Sequence, residues 1–162
     1  MSKSPAFLTI GALVAFATVN TASAQTATQT VTFQVSAINQ IAVTGAPSLV
    51  INTATAGSAP TSVTSAANSW SVTTNQTTAW ITASIPLAMP AGLTLSANLT
   101  APAGATSTGL TALGTVAVNV VTGITKLNSA ALGLTYQLDA TAAAGVVSSS
   151  TRVVTYTITG GV

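Results

Sequence analysis

Residues 69–85 read SWSVTTNQTTAWITASI, and the side-chain pattern in this stretch decides the fold. Trp70 and Val72 lie on one side of an extended chain, because successive side chains of a strand point to opposite faces. The same two-residue period resumes at Ile81, after the polar tetrad at residues 75–78. Two alternating segments separated by a short polar break predict two strands joined by a hairpin loop.

The same alternation recurs along most of the chain, and no segment has a helical period. The alternating segments are separated by clusters of Gly, Pro, Asn and Ser, and they comprise residues 28–37, 38–45, 48–54, 93–99, 116–120, 132–140 and 151–159. One face of each is apolar and the other is mostly Thr, Ser, Asn and Gln, as in sheets with one buried side. We predict an all-β protein, an immunoglobulin-like or jelly-roll-type β-sandwich of about 7–9 strands with an extended N-terminal strand.

The first 24 residues have the three parts of a secretory signal peptide. Lys3 supplies the positive charge, residues 6–19 form an apolar run, and small residues end at Ala24. That run is shorter than the ~20 residues of a membrane-spanning helix, so we expect cleavage and no stable membrane insertion afterwards. The predicted organisation is a cleaved signal peptide at 1–24, an N-terminal strand segment at 25–44 and a sandwich domain at 45–162. The protein is expected to be secreted, in the extracellular space or at the cell surface.

The inventory of reactive side chains argues against an enzyme. The chain has no His and no Cys, and Lys126, Asp139 and Arg152 are the only charged residues after the predicted signal peptide. A Ser or Thr nucleophile therefore lacks its usual general base, and two-carboxylate chemistry lacks its second acid. A Ser–Lys pair using Lys126 is the remaining formal alternative, against the simpler interpretation of a solvated loop cation.

No cofactor or metal is predicted, because thiolate, imidazole and clustered carboxylate ligands are missing from the chain. A structural calcium held by Asp139 and carbonyl groups is the weaker alternative. So few cations cannot neutralise a run of phosphates, which argues against nucleic acid as a partner. Asp139 and Arg152 fall in the last two predicted strands and would form a cross-strand pair if those strands made a hairpin.

The two tryptophans and two glycosylation patterns offer candidate surface features. Core packing is the expected use of at least one of Trp70 and Trp80, whereas an exposed aromatic among polar groups would suit a sugar ring. Asn75 and Asn98 each begin an N-x-S/T tripeptide, the acceptor pattern for N-glycosylation.

Residues 28–37, TQTVTFQVSA, alternate regularly between apolar and polar side chains. One side carries Val31, Phe33, Val35 and Ala37, and Ile38 follows directly. Such a segment is either the first strand of its own sandwich or a strand that fills a groove in another copy. The second interpretation makes Val31, Phe33, Val35, Ala37 and Ile38 the self-association residues.

An exported, charge-poor all-β chain with this opening segment and the final stretch TRVVTYTIT resembles donor-strand-exchange fibre subunits. The resemblance is to chaperone–usher pilins, including the spore coat protein U-like group, and more loosely to fibre proteins of the TasA/camelysin type. It implies a structural subunit of an extracellular filament, pilus or surface layer, with other copies of itself as partners and an assembly chaperone as a further one. The alternative is a monomeric secreted or cell-surface binding domain, an adhesin or a carbohydrate-binding module.

Overall fold

The computed structural model describes residues 23–161, so the predicted signal peptide lies almost entirely outside the described part. The described chain contains ten strands and one short 3-10 helix, Ala142–Ala144. In chain order the strands are Asn39–Thr44 (β1), Val63–Thr64 (β2), Asn68–Thr74 (β3), Thr77–Ser84 (β4), Leu93–Leu99 (β5), Thr106–Ser107 (β6), Thr111–Ala112 (β7), Val118–Ile124 (β8), Leu127–Ala140 (β9) and Thr155–Gly161 (β10). Within residues 23–161, no helix has the length and apolar character that a membrane crossing requires.

The strands form two antiparallel sheets. The six-stranded sheet has the order β1-β3-β9-β5-β7, with β2 pairing β9 beside β3, and the four-stranded sheet has the order β10-β4-β8-β6. This arrangement confirms the predicted all-β sandwich. The strand number exceeds the expected range because three of the strands, β2, β6 and β7, have only two residues each.

The core lies between the two sheets and is formed by the apolar side chains of the alternating segments. Trp70 and Val72 of β3 are buried, and they share one core cluster with the buried Ile81 and Ala83 of β4 in the other sheet. The other fully or nearly buried apolar side chains are Ala79, Ile85, Leu95, Ala97, Leu99, Leu113, Val120, Val121, Ile124, Leu134 and Tyr136. None of them precedes residue 70, so residues 23–38 contribute nothing to this core.

The prediction of a hairpin through residues 75–78 was wrong. β3 belongs to the six-stranded sheet and β4 to the four-stranded sheet, so the chain crosses from one sheet to the other at Asn75 and Gln76. β8 and β9 make the reverse crossing beside it, and the Lys126 N–H donates to the Gln76 carbonyl at 2.9 Å. Two consecutive strands with apolar inner faces can pair in one sheet or lie in opposite sheets, and here they lie in opposite sheets.

Four other predicted segments differ from the structure. Residues 28–37 and 48–53 form no strand, although both alternate in sequence. Val116 lies before β8 and is 76% exposed, so it does not continue the inward-facing positions of Val118 and Val120. The last strand begins at Thr155 and not at residue 151.

Candidate functional site

Three large apolar side chains near the N-terminus are exposed to solvent. Val31 is 72% exposed, Phe33 91% and Val35 77%, and Ala37 is exposed as well. Contacts divide the chain between Gln34 and Val35, and no residue from 23 to 38 belongs to a strand. Val31, Phe33 and Val35 therefore form an alternating set of exposed apolar side chains.

Ile38, the last predicted self-association residue, is fixed to the sandwich. Its N–H donates to Asn75 Oδ1 at 2.8 Å, and its carbonyl accepts from the Asn75 N–H at 3.2 Å. The Asn75 Nδ2 group also donates to the Ser36 carbonyl at 2.7 Å. β1 begins at the next residue, so these three bonds mark the point where the N-terminal segment joins the sheet.

A groove of about 810 Å³ opens elsewhere on the sandwich, beside two stretches of chain that lack strands. Residues 47–53 line one part of it and residues 145–151 another, and neither stretch belongs to a strand. The larger apolar side chains at the groove are Leu49, Val50, Ile51, Met89, Leu93, Leu138 and Val147, and Ser, Thr and Asn side chains line much of the rest. Sequence reasoning missed this feature, because it assigned residues 48–54 to a paired strand.

The two tryptophans lie in different environments. Trp70 is 1% exposed in the core, which confirms that at least one tryptophan is used for packing. Trp80 is half-buried on β4, where the neighbouring Ala79 and Ile81 point inward. Its partner across the sheet is Thr159 of β10, so Trp80 lies among hydroxyl groups on the outer side of the four-stranded sheet.

The two glycosylation patterns also lie in different environments. The Asn75 side chain is occupied by its bonds to Ser36 and Ile38, at the crossing between the sheets. Asn98 is exposed on β5, opposite Thr135 of β9. An acceptor asparagine needs a free amide group, so Asn98 is the more accessible of the two.

The predicted cross-strand pair of Asp139 and Arg152 is not formed. Asp139 accepts hydrogen bonds from the Ser62 hydroxyl and from Gln137 Nε2, the latter at 2.9 Å. Arg152 donates to the carbonyl of Ala88 at 3.2 Å and to that of Thr151. The hairpin that would have joined these residues does not exist, because β9 and β10 belong to different sheets.

Tyr136 of β9 and Tyr156 of β10 link the two sheets through their hydroxyl groups. Tyr156 donates to Tyr136 at 2.9 Å. Burial raises the pKa of both phenols. The hydrogen bond raises the pKa of Tyr156, the donor, further, and it lowers the pKa of Tyr136 in part. Both groups stay neutral well above physiological pH, so the link is a structural bond and offers no base for catalysis.

Comparisons of the chain with protein-family models, with curated proteins and with solved structures found no match. The fold and the site define a class only: an all-β sandwich with an exposed apolar N-terminal segment and a groove lined by apolar and uncharged polar side chains. The function is therefore inferred from the residues of this chain.

Proposed function

We propose that this protein is a structural subunit of an extracellular filament, pilus or surface layer. Each copy donates residues 28–37 as a strand to the next copy, head to tail. The observation that carries the proposal is the exposure of Val31, Phe33 and Val35, of which Phe33 reaches 91%. Large exposed apolar patches mark interaction sites, and this one has the two-residue period of a strand.

The donated segment would act by β-augmentation. Its backbone adds hydrogen bonds to a sheet of the acceptor, and alternate side chains enter pockets. Burying Val31, Phe33, Val35 and Ala37 contributes up to about 1.5–3 kcal/mol for each large side chain, a gross term of roughly 8 kcal/mol before ordering and association costs. The Ile38–Asn75 bonds would hold the base of the segment on the donor sandwich.

The composition of the chain suits repeated contact between copies. A head-to-tail contact uses two different surfaces, so it propagates into a filament and does not close as a dimer. Charged residues make up 2% of the chain, so contacts between copies would desolvate few ions. Such contacts should respond little to salt, because screening acts on charges.

The remaining parts of the proposal follow from the sequence. The protein is proposed to be non-enzymatic and to need no cofactor, with other copies of itself as principal partners and an assembly chaperone as an additional one. Its proposed location is the extracellular space or the cell surface, after cleavage of the signal peptide.

Negative-stain electron microscopy of purified native material tests the function. We expect filaments or ordered arrays, whose abundance changes little between low and high salt. Discrete particles of the size of one chain, at concentrations where a fibre subunit would polymerise, would contradict the proposal.

A second candidate function is a monomeric binding domain for carbohydrate. The observation that favours it is the partly exposed Trp80, opposite Thr159 and on the same face of β4 as Thr82. An aromatic face beside hydroxyl groups offers an apolar surface for a sugar ring and partners for its hydroxyls.

Glycan-array binding separates this second function from the first. Under the carbohydrate hypothesis, Trp80→Ala abolishes binding and Trp80→Phe retains part of it, while both variants still unfold in a cooperative thermal transition. A filament-forming chain that binds no glycan would leave only the first function.

A further inference from the structure

We infer that the acceptor for the donated strand is the groove of about 810 Å³ beside residues 47–53 and 145–151, and that its occupant is residues 28–37 of a second copy. This inference rests on the proposed function and adds the missing partner surface. Three properties of the groove carry it: its unpaired backbone, its uncharged lining, and its size.

The first property is the unpaired backbone along the groove. Residues 47–52 and 146–150 belong to no strand in the described structure, although Leu49 and Ile51 are half-buried while Val50 and Asn52 are exposed. That alternation is the side-chain period of a strand without a strand's hydrogen bonds. An incoming strand would supply partners for these backbone N–H and C=O groups, which otherwise rely on water.

The second property is the chemistry of the lining. No charged residue lines the groove, and its apolar side chains include Leu93 and Leu138, which lie on the adjacent strands β5 and β9. Residues 28–37 likewise contain no charged residue. Docking would therefore bury apolar side chains on both partners without desolvating an ion.

The third property is size. The volume of about 810 Å³ lies in the upper part of the ~300–1,000 Å³ range that holds bound small molecules. Val31 to Val35 would span roughly 13 Å at about 3.3 Å per residue, less than the roughly 17 Å that residues 48–53 would span at the same rise. The side chains of Val31, Phe33 and Val35 therefore fit within the length of the groove wall.

A smaller apolar depression of about 410 Å³ is the rival acceptor. It lies beside Ile38 and is lined by Leu127 and Asn128 of β9 together with Thr73 of β3. Thr73 and Asn128 are already partners in the β3–β9 ladder. This depression therefore lacks the gap between backbone segments that an added strand needs, and we assign the larger groove.

Disulfide cross-linking tests the assignment cleanly, because the natural chain has no cysteine. One preparation carries Thr32→Cys or Gln34→Cys, on the polar side of the donor segment. A second, with a tag of different size, carries Ser149→Cys at the groove or Asn128→Cys at the rival depression; both acceptor positions are exposed polar residues. Side chains on neighbouring strands approach within about 4.5–5.5 Å between Cβ atoms, close to the separation that a disulfide bridges.

The two preparations are mixed, polymerised in reductant, oxidised and separated on a non-reducing gel. We expect a disulfide-linked pair of differently tagged chains with Ser149→Cys in at least half of the material for one of the two donor positions, and at least tenfold less with Asn128→Cys. Polymers that link through Asn128→Cys, or through neither position, would overturn the groove assignment and leave strand donation standing.

Two further outcomes would contradict the proposed function as well as the groove assignment. A chain carrying both Gln34→Cys and Ser149→Cys that links only within itself would show that the segment fills its own groove, which overturns both ideas. Wild-type protein that forms no polymer in reductant would do the same.

Discussion

Asn75 holds Ile38 through two hydrogen bonds, one from its side chain and one from its backbone. Its Oδ1 accepts from the Ile38 N–H at 2.8 Å, and its own N–H donates to the Ile38 carbonyl at 3.2 Å. The same residue forms the crossing between the sheets, since β3 ends at Thr74 and β4 begins at Thr77. The base of the N-terminal segment is therefore fixed to a two-residue connection between the sheets.

Replacing Asn75 should loosen this attachment. Asn75→Ala removes the partners of the Ile38 N–H and the Ser36 carbonyl, and we expect a loss of about 1–2 kcal/mol in the free energy of unfolding. Asn98→Ala, at the other glycosylation pattern, is the matched control, because Asn98 is exposed on β5 and should change stability by less than about 0.5 kcal/mol. Urea unfolding of both variants provides the measurement, and equal midpoints would contradict the role of Asn75.

Gly92 and Gly104 provide a matched pair for the contact beside the 3-10 helix. Both have left-handed backbone, with φ of +80° and +81°, so alanine costs each a similar conformational penalty. At Gly92 the new Cβ would lie 2.8 Å from Ala144 N, whereas at Gly104 nothing lies within 4 Å. Gly92→Ala should therefore be more destabilising than Gly104→Ala by about 1–3 kcal/mol in thermal or urea unfolding. Similar losses for the two would contradict the close packing seen at Gly92.

The tyrosine pair predicts how stability depends on pH. The pKa values of Tyr136 and Tyr156 are raised by burial above 10.0, the value for a free tyrosine. A raised pKa in the folded state means that stability is fully present below pH about 10 and falls as pH rises towards the folded values, because the unfolded chain releases these protons first. Urea midpoints between pH 8 and pH 11 measure this loss.

Tyr156→Phe is the control for that pH dependence. It removes one of the two titrating groups and the hydroxyl bond between the sheets. The variant should lose less stability than the wild type between pH 9 and pH 11. A wild-type midpoint that is flat across this range would contradict the burial of the pair.

Phe33 should matter for assembly and not for the stability of one copy. Since its side chain is 91% exposed, Phe33→Ala should leave the monomer unfolding transition unchanged. In the polymer, the loss of a buried phenylalanine of about 1.5–3 kcal/mol should raise the critical concentration by roughly 10- to 150-fold. Val116→Ala removes another largely exposed side chain, outside the donor segment, and should leave the critical concentration unchanged. Equal effects of the two variants would mean that Phe33 has no particular role.

Much of the fold was predictable because the two-residue period is a local property. Within residues 69–85 it identified two strands and their inner faces, and Trp70, Val72, Ile81 and Ala83 are all buried. The pairing of those strands was not predictable in this way. Two alternating strands can pair with each other in one sheet or lie in opposite sheets, and both arrangements bury their apolar faces. The expected hairpin and the observed crossing therefore have the same sequence pattern.

The N-terminal segment and the groove also differ in how far the sequence predicted them. Val31, Phe33 and Val35 were identified from their alternation, and the structure shows that their side chains are exposed. Leu49 and Ile51 also alternate, but the sequence reports the side-chain period and not whether the backbone has a partner. Residues 48–53 line the groove without forming a strand, which no local pattern reveals.

Sedimentation of purified protein lacking residues 28–37 tests the central claim most directly. The core does not use these residues, so the shortened chain should keep its cooperative unfolding transition. We predict that it stays monomeric under conditions in which the full chain sediments as polymer. A shortened chain that polymerises at the same rate and to the same extent as the full chain would contradict strand donation by this segment.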